Sequence, residues 1–150
     1  MSASAISVFM NYFNTFEQAM TEGSWLAVEE LLTDQIIYKV EGVPFACEVK
    51  GKAEVVKAFR KSTSAFDATM DFRMLEILSV ARLGDGHLRV DLLSGYGRDS
   101  VGSMTAPVSI EVRTDGPRIA SLRDIYDPTL TTPALSWLAM HVGDADPSYV

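Results

Sequence analysis

Leu88-Arg89-Val90-Asp91-Leu92-Leu93-Ser94-Gly95-Tyr96 sets the reading of the whole chain. Leu88, Val90, Leu92, Ser94 and Tyr96 fall on one face, and His87, Arg89, Asp91 and Leu93 on the other. A repeat of two is the signature of a strand with one buried face. Working backward, Asp85-Gly86 is a hairpin turn signal. Before it, Met70, Phe72 and Met74 alternate with Asp71 and Arg73, which gives an apolar parity. That parity blurs at Leu75 and Ile77, as a bulge would make it. Working forward, Met104, Ala106, Val108, Ile110 and Val112 line one face of another strand, and Asp115-Gly116-Pro117 turns the chain. Ala120, Leu122, Asp124 and Tyr126 then alternate with Ile119, Ser121, Arg123 and Ile125. The second half of the chain therefore reads as a long antiparallel meander.

The first half has a different period. Ile6, Phe9, Met10, Phe13, Phe16 and Met20 recur at helical spacing, ending near Gly23. Ser24 is placed to cap a short second helix that buries Trp25, Val28, Leu31 and Leu32, with Thr33 and Asp34 breaking it. Gln35 to Val40 is rich in strand formers, and Gly42 and Pro44 mark a loop. Gly51 precedes a third helix, Lys52 to about Ser64, with Val55, Val56 and Phe59 on its apolar face. Helices early and strands late mean an α+β fold. After Asp127 come Thr132, Pro133, a short apolar helix with Leu135, Trp137, Leu138 and Met140, and a polar, frayed end from Gly143 to Val150. The chain is read as one domain over 1–150, with a core at about 4–127 and a tail at 128–150.

Composition narrows the function. The 150 residues are 47% hydrophobic, enough for a core without staples. A formal charge of −7, with no Lys or Arg before Lys39 or after Arg123, argues against nucleic acid, whose binding needs released counterions. Cys47 is the single cysteine, read as a small buried apolar residue; no disulfide can form within the chain, which fits a reducing, cytoplasmic setting. No basic n-region precedes the first apolar stretch, and no apolar run approaches the ~18 residues of a membrane span. His87 and His141 lack a metal-ligand spacing, and no phosphate-binding glycine pattern occurs. Neither a metal nor a cofactor is expected.

Three segments carry a resemblance: Thr21-Glu22-Gly23-Ser24-Trp25 between the first helices, Lys50-Gly51-Lys52-Ala53-Glu54-Val55-Val56 opening the third, and the closing Ser121-Leu122-Arg123-Asp124-Ile125-Tyr126-Asp127. In this order the chain resembles a SnoaL-like member of the nuclear transport factor 2-like superfamily over roughly Ser4 to Asp127. The resemblance implies a cone in which a curved antiparallel sheet wraps three N-terminal helices and leaves a deep apolar pocket, with a short helix at the C-terminus. Many members pair sheet to sheet, so a homodimer is implied, and Leu93, Ile119 and Ile125 would lie on its outer face. The fold hosts unrelated activities and non-enzymatic binders alike.

Asp124 is the leading candidate for chemistry. It shares the parity of Ala120 and Leu122, and a carboxylate on a buried face is either paired or shifted toward neutrality. The matching aspartate of limonene epoxide hydrolase is a catalytic acid, so the resemblance implies that role. A structural aspartate paired to an arginine is the competing reading. Arg89-Val90-Asp91 has the Arg-x-Asp spelling of that enzyme but lies on the polar parity, and Val40 stands where its water-holding asparagine would be. A ketosteroid isomerase mechanism fails: its tyrosine, base and aspartic acid positions fall at Phe16, Val40 and Ser109. Tyr38 and Tyr96 are candidates to orient a ligand, with Arg98, Phe16, Val40 and Trp137 completing the expected lining. These residues describe a pocket for a small apolar molecule. Either Asp124 does cofactor-independent acid–base work there, of isomerase, cyclase or hydrolase type, or the pocket only binds.

Overall fold

In the computed structural model, which describes residues 4–44 and 46–141, the chain runs α1 (Ala5–Glu22), α2 (Leu26–Glu30), β1 (Leu32–Glu41), β2 (Cys47–Lys50), α3 (Lys52–Ala65), a 3-10 turn (Asp67–Thr69), β3 (Phe72–Gly84), β4 (His87–Arg98), β5 (Gly102–Asp115), β6 (Arg118–Ile125) and α4 (Pro128–His141). The expected polar end, Gly143 to Val150, lies outside the described residues. The strands form one curved, unclosed sheet in the order β2-β1-β6-β5-β4-β3. Helices packed against it complete an α+β fold.

Local chemistry explains the helix ends. The Ser4 side chain accepts the Ser7 amide at the start of α1, and Gly23, at φ 78°, closes α1 with its N–H on the Ala19 carbonyl. The α1 stripe buries Val8, Phe9, Tyr12 and Ala19; α3 buries Val55, Val56, Ala58 and Phe59. They meet Leu32, Ile36, Leu88, Leu92, Val112 and Ile119 from the sheet in one apolar core. No helix among the described residues is long and apolar enough to cross a membrane.

The structure corrects the sequence reading in several places. The sheet is mixed, because β1 lies parallel to β6, with Tyr38 beside Leu122 and Val40 beside Asp124. Parallel neighbours need a long crossover, and the whole β2–β5 segment supplies it. The short edge strand β2 replaces part of the expected loop, pairing Val40 with Cys47 and Tyr38 with Val49. Leu31 and Leu32 do not belong to the second helix: α2 stops at Glu30, Trp25 rather than Ser24 takes its cap position, and Leu32 opens β1. Five residues form too short a helix to hold Leu32 against strand pairing to Ile119.

Two bulges overturn parity assignments. In β3 the register runs Ile77 to Leu92 and then Ser79 to Asp91, leaving Leu78 as the extra residue. The inward residues of the first half of β3 are Arg73 and Leu75, whereas Phe72 is exposed. In β6, Arg113 pairs with Ser121 and Thr114 with Ile119, so Ala120 is extra. Ile119, expected on the outer face, is completely buried, because the bulge puts it on the same side as Leu122. The last helix starts at Pro128 rather than beyond Pro133. Asp127 Oδ1 accepts the Thr129 and Leu130 amides at 2.8 and 3.2 Å, and proline suits the first helical position.

Candidate functional site

Between the helices and the concave face of the sheet lies a cavity of about 370 Å³. Its wall is aromatic: Phe9, Phe13 and Phe16 come from α1, Phe59 and Phe66 from α3 and its end, and Tyr96 and Tyr126 from the sheet side. Thr131, Ala134, Leu135 and Leu138 of α4 close it on another side. Strand alternation delivers Leu92, Ser94 and Tyr96 from β4, and Met104, Ala106, Val108 and Ile110 from β5, to this one space.

Asp124 and Tyr38 interrupt the apolar wall. Both strands that carry them are central, so their backbones are fixed on two sides. The Tyr38 hydroxyl donates to Asp124 Oδ2 at 3.2 Å. Phe59 packs edge-on against the Tyr38 ring, centroids 5.1 Å apart, and also touches Tyr12, Phe16 and Trp25. Tyr38 is therefore held from behind by α3 while its hydroxyl points at the carboxyl. Asp124 borders the cavity, which leaves part of its surface open, yet the surrounding protein withholds bulk water from the carboxyl. Burial pushes its pKa up to about 7 against the opposing pull of the Tyr38 hydrogen bond. A carboxyl at that value is present in both protonation states near neutrality, so it can give or take a proton.

A second polar group lines the same cavity. Arg73 of β3 donates from Nη1 to Glu17 Oε2 and from Nε to Asp67 Oδ2, the latter at 2.9 Å. The three side chains come from β3, α1 and the 3-10 turn. Burial holds Asp67 up at about 6 in spite of Arg73, whose charge is shared with Glu17; Glu17 itself pushes the same way. Burial pulls Arg73 down, but its bond to Glu17 and the nearby Tyr96 and Asp67 outweigh it and hold the guanidinium above its ordinary value. Glu17 Oε1 is enclosed and accepts no hydrogen bond.

Of the residues singled out from sequence, Asp124, Tyr38, Tyr96 and Phe16 line the cavity together. Val40 does not line it; it is buried beside Asp124 in the β1–β6 pairing. Trp137 does not line it either, and packs against His141 with ring centroids 5.4 Å apart. Arg98 reaches the His141 carbonyl at the end of α4 at 3.4 Å, and not Asp124. Arg89 and Asp91 pair with each other and with Ser109 on the other face of the sheet. Sequence reasoning missed Glu17, Asp67 and Arg73. The signal was an arginine beside Phe72 in an alternating strand, hidden because Met70, Phe72 and Met74 made the opposite parity look apolar. Among the described residues no group of three His, Cys, Asp or Glu side chains is placed to hold a metal.

No protein-family model matches the sequence, and no match is found among curated proteins. Solved structures do match. An LEH-like epoxide hydrolase from M. tuberculosis is 15% identical, with 95% of this chain and 93% of that chain covered and a TM-score of 0.67. A nuclear transport factor 2-like protein from Anabaena variabilis ATCC 29413 is 17% identical, covering 81% and 88%, at 0.61. Another from Burkholderia xenovorans LB400 is 14% identical, covering 89% and 97%, at 0.62. At such identities the likeness carries architecture alone, and architecture alone does not carry activity. In its helices, its curved mixed sheet and the cavity between them, the chain has the fold of the nuclear transport factor 2-like superfamily.

Proposed function

We propose that the protein takes a small, mainly apolar molecule into the cavity and that Asp124 moves a proton on it without a cofactor. The observation that carries this reading is a carboxyl at the cavity wall with a pKa raised to about 7 and a tyrosine hydroxyl 3.2 Å away. Such a group takes a proton from one atom of the ligand and returns it to another, so the protein ends unchanged. Isomerisation or ring closure needs only that; hydrolysis also needs an activated water. A relative of the same fold is called an epoxide hydrolase, which makes the hydrolytic branch worth testing beside the other two.

A second reading is a binding protein that does no chemistry. It is favoured by Val40, the sheet neighbour of Asp124, which supplies no partner base. A thermal-shift screen of apolar lactones, epoxides and steroids, followed by mass spectrometry of incubated hits, separates the two. The enzyme reading expects a product with the native protein and none with Asp124→Asn, which still binds. Binding without product in both proteins would leave only the second reading. We also infer a homodimer through the outer sheet face, where half-buried Leu93, Pro107 and Ile125 interrupt a polar surface.

A further inference from the structure

The Glu17–Arg73–Asp67 cluster is in an unusual place for an ion pair that only braces the fold. It forms part of the cavity wall, and the same three side chains also border a groove outside it, shared with Arg60 and Lys61. It is thus a wall between two spaces rather than a plug in solid packing. On the cavity side, which neither Arg60 nor Lys61 lines, two carboxylates face one guanidinium, and both Arg73 nitrogens that bond do so to these carboxylates. One carboxylate oxygen, Glu17 Oε1, is enclosed and accepts no hydrogen bond. A carboxylate has acceptor capacity for several donors, and leaving a buried acceptor unmet is costly. The Glu17 side chain keeps about a third of its surface open, 35%, and its terminal torsion is soft, so the oxygen can turn toward a donor.

The cluster is also far from Asp124 in the sheet. Asp124 pairs with Ile110, whereas Arg73 pairs with Tyr96, which pairs with Met104. These levels differ by six positions along β5 (110 − 104), with three strand-to-strand steps between β6 and β3. On a flat sheet that is on the order of 20 Å along the strands alone, and curvature folds both corners onto one cavity. The cavity therefore has two polar ends and an aromatic middle.

We propose that the Glu17–Arg73–Asp67 cluster is a second ligand-binding subsite, taking a hydrogen-bond donor, ammonium or hydroxyl, at the far end of an otherwise apolar ligand. It rests on the cavity being a ligand site, and it adds the end group by which the ligand is read. The unmet acceptor selects a donor; the excess negative charge ranks ammonium above hydroxyl and sets a carboxylate last.

Four probes with one body test it: 4-phenylbutylamine, 4-phenylbutan-1-ol, butylbenzene and 4-phenylbutyrate, titrated calorimetrically into the whole protein at pH 7.5. The amine should bind about tenfold tighter than butylbenzene, the return expected of one hydrogen bond to a charged group. The alcohol should fall between them and the carboxylate last. In Glu17→Gln the amine should lose its advantage over the alcohol; loss of that advantage in Asp124→Asn instead would assign the amine to the other polar end and overturn the inference. A merely structural cluster would lower the melting temperature in Glu17→Gln and leave the order of probes unmoved, which overturns the inference. So would equal binding of the amine, alcohol and hydrocarbon, with the cavity reading intact. Tightest binding of the carboxylate would assign the end to Arg73 and overturn the donor preference. If none of the four binds the wild-type protein, both the inference and the cavity reading fall. The wild-type order alone decides the matter should Glu17→Gln not fold.

Discussion

Asp124 shows how one residue can be legible in kind but not in context. Its place on the parity of Leu122 is visible in the sequence; its Tyr38 partner, 86 residues away, is not. Burial raises its pKa from an ordinary 3.8 to about 7, so the folded state holds a proton that the unfolded chain has lost between those values. Stability attributable to this group therefore falls as pH rises through that window and is lowest above it. Asp124→Asn should match the native protein in urea denaturation at pH 4 and exceed it at pH 8 by on the order of 4 kcal/mol. A loss at pH 8 would mean the carboxylate has a stabilising charge partner. Gly42 makes a different demand. It has φ 85°, and a Cβ there would sit 1.9 Å from the Tyr126 carbonyl oxygen. Gly42→Ala should cost at least about 2 kcal/mol of unfolding free energy, and a neutral result would show that the β1 end relaxes freely.

Among the elements, α1, α3, β4 and β5 were readable because each repeats its own period over many residues. Failures came where pairing outranked local pattern. Leu32 was drawn into β1 by Ile119, β2 has only four residues, and the bulges at Leu78 and Ala120 moved whole faces by one position. A bulge is a long-range compromise between strands, and no run of residues advertises it. α4 is the element whose contribution is most easily measured. Leu135 and Leu138 close the cavity, while Met140 remains 75% exposed. Removing Pro133 to Val150 should lower the melting temperature by several degrees and admit an apolar dye, since an uncovered apolar hollow is costly in water. An unchanged melting curve and no dye signal would make α4 dispensable to the core.

For the whole molecule, the proposed dimer rests on the outer sheet face. The grounds for a dimer narrowed once Ile119 proved to be core. Glu41, Arg123 and Glu111 form an ion-pair ladder on that face, as do Arg89 and Asp91. Leu93, Pro107 and Ile125, with the more exposed Ile37 and Phe72, remain as its apolar part. Sedimentation at micromolar concentration should give twice the mass of the chain. A monomer at that concentration would refute the proposed dimer. With a net charge of −7 per chain, association should strengthen as added salt screens the repulsion between like-charged copies.

The parallel pairing of β1 with β6 has a consequence for synthesis. A chain emerging from the ribosome exposes β1 early, with only the four-residue β2 to pair with one of its edges. The strand that covers the other edge, and brings Asp124 to Tyr38, is the last of the sheet to emerge. Until then the Tyr38–Asp124 hydrogen bond cannot form, and the open edge of β1 is a template for wrong partners. Chains arrested before Arg118 should therefore be captured by chaperones and prone to aggregate, while those that have released β6 should not.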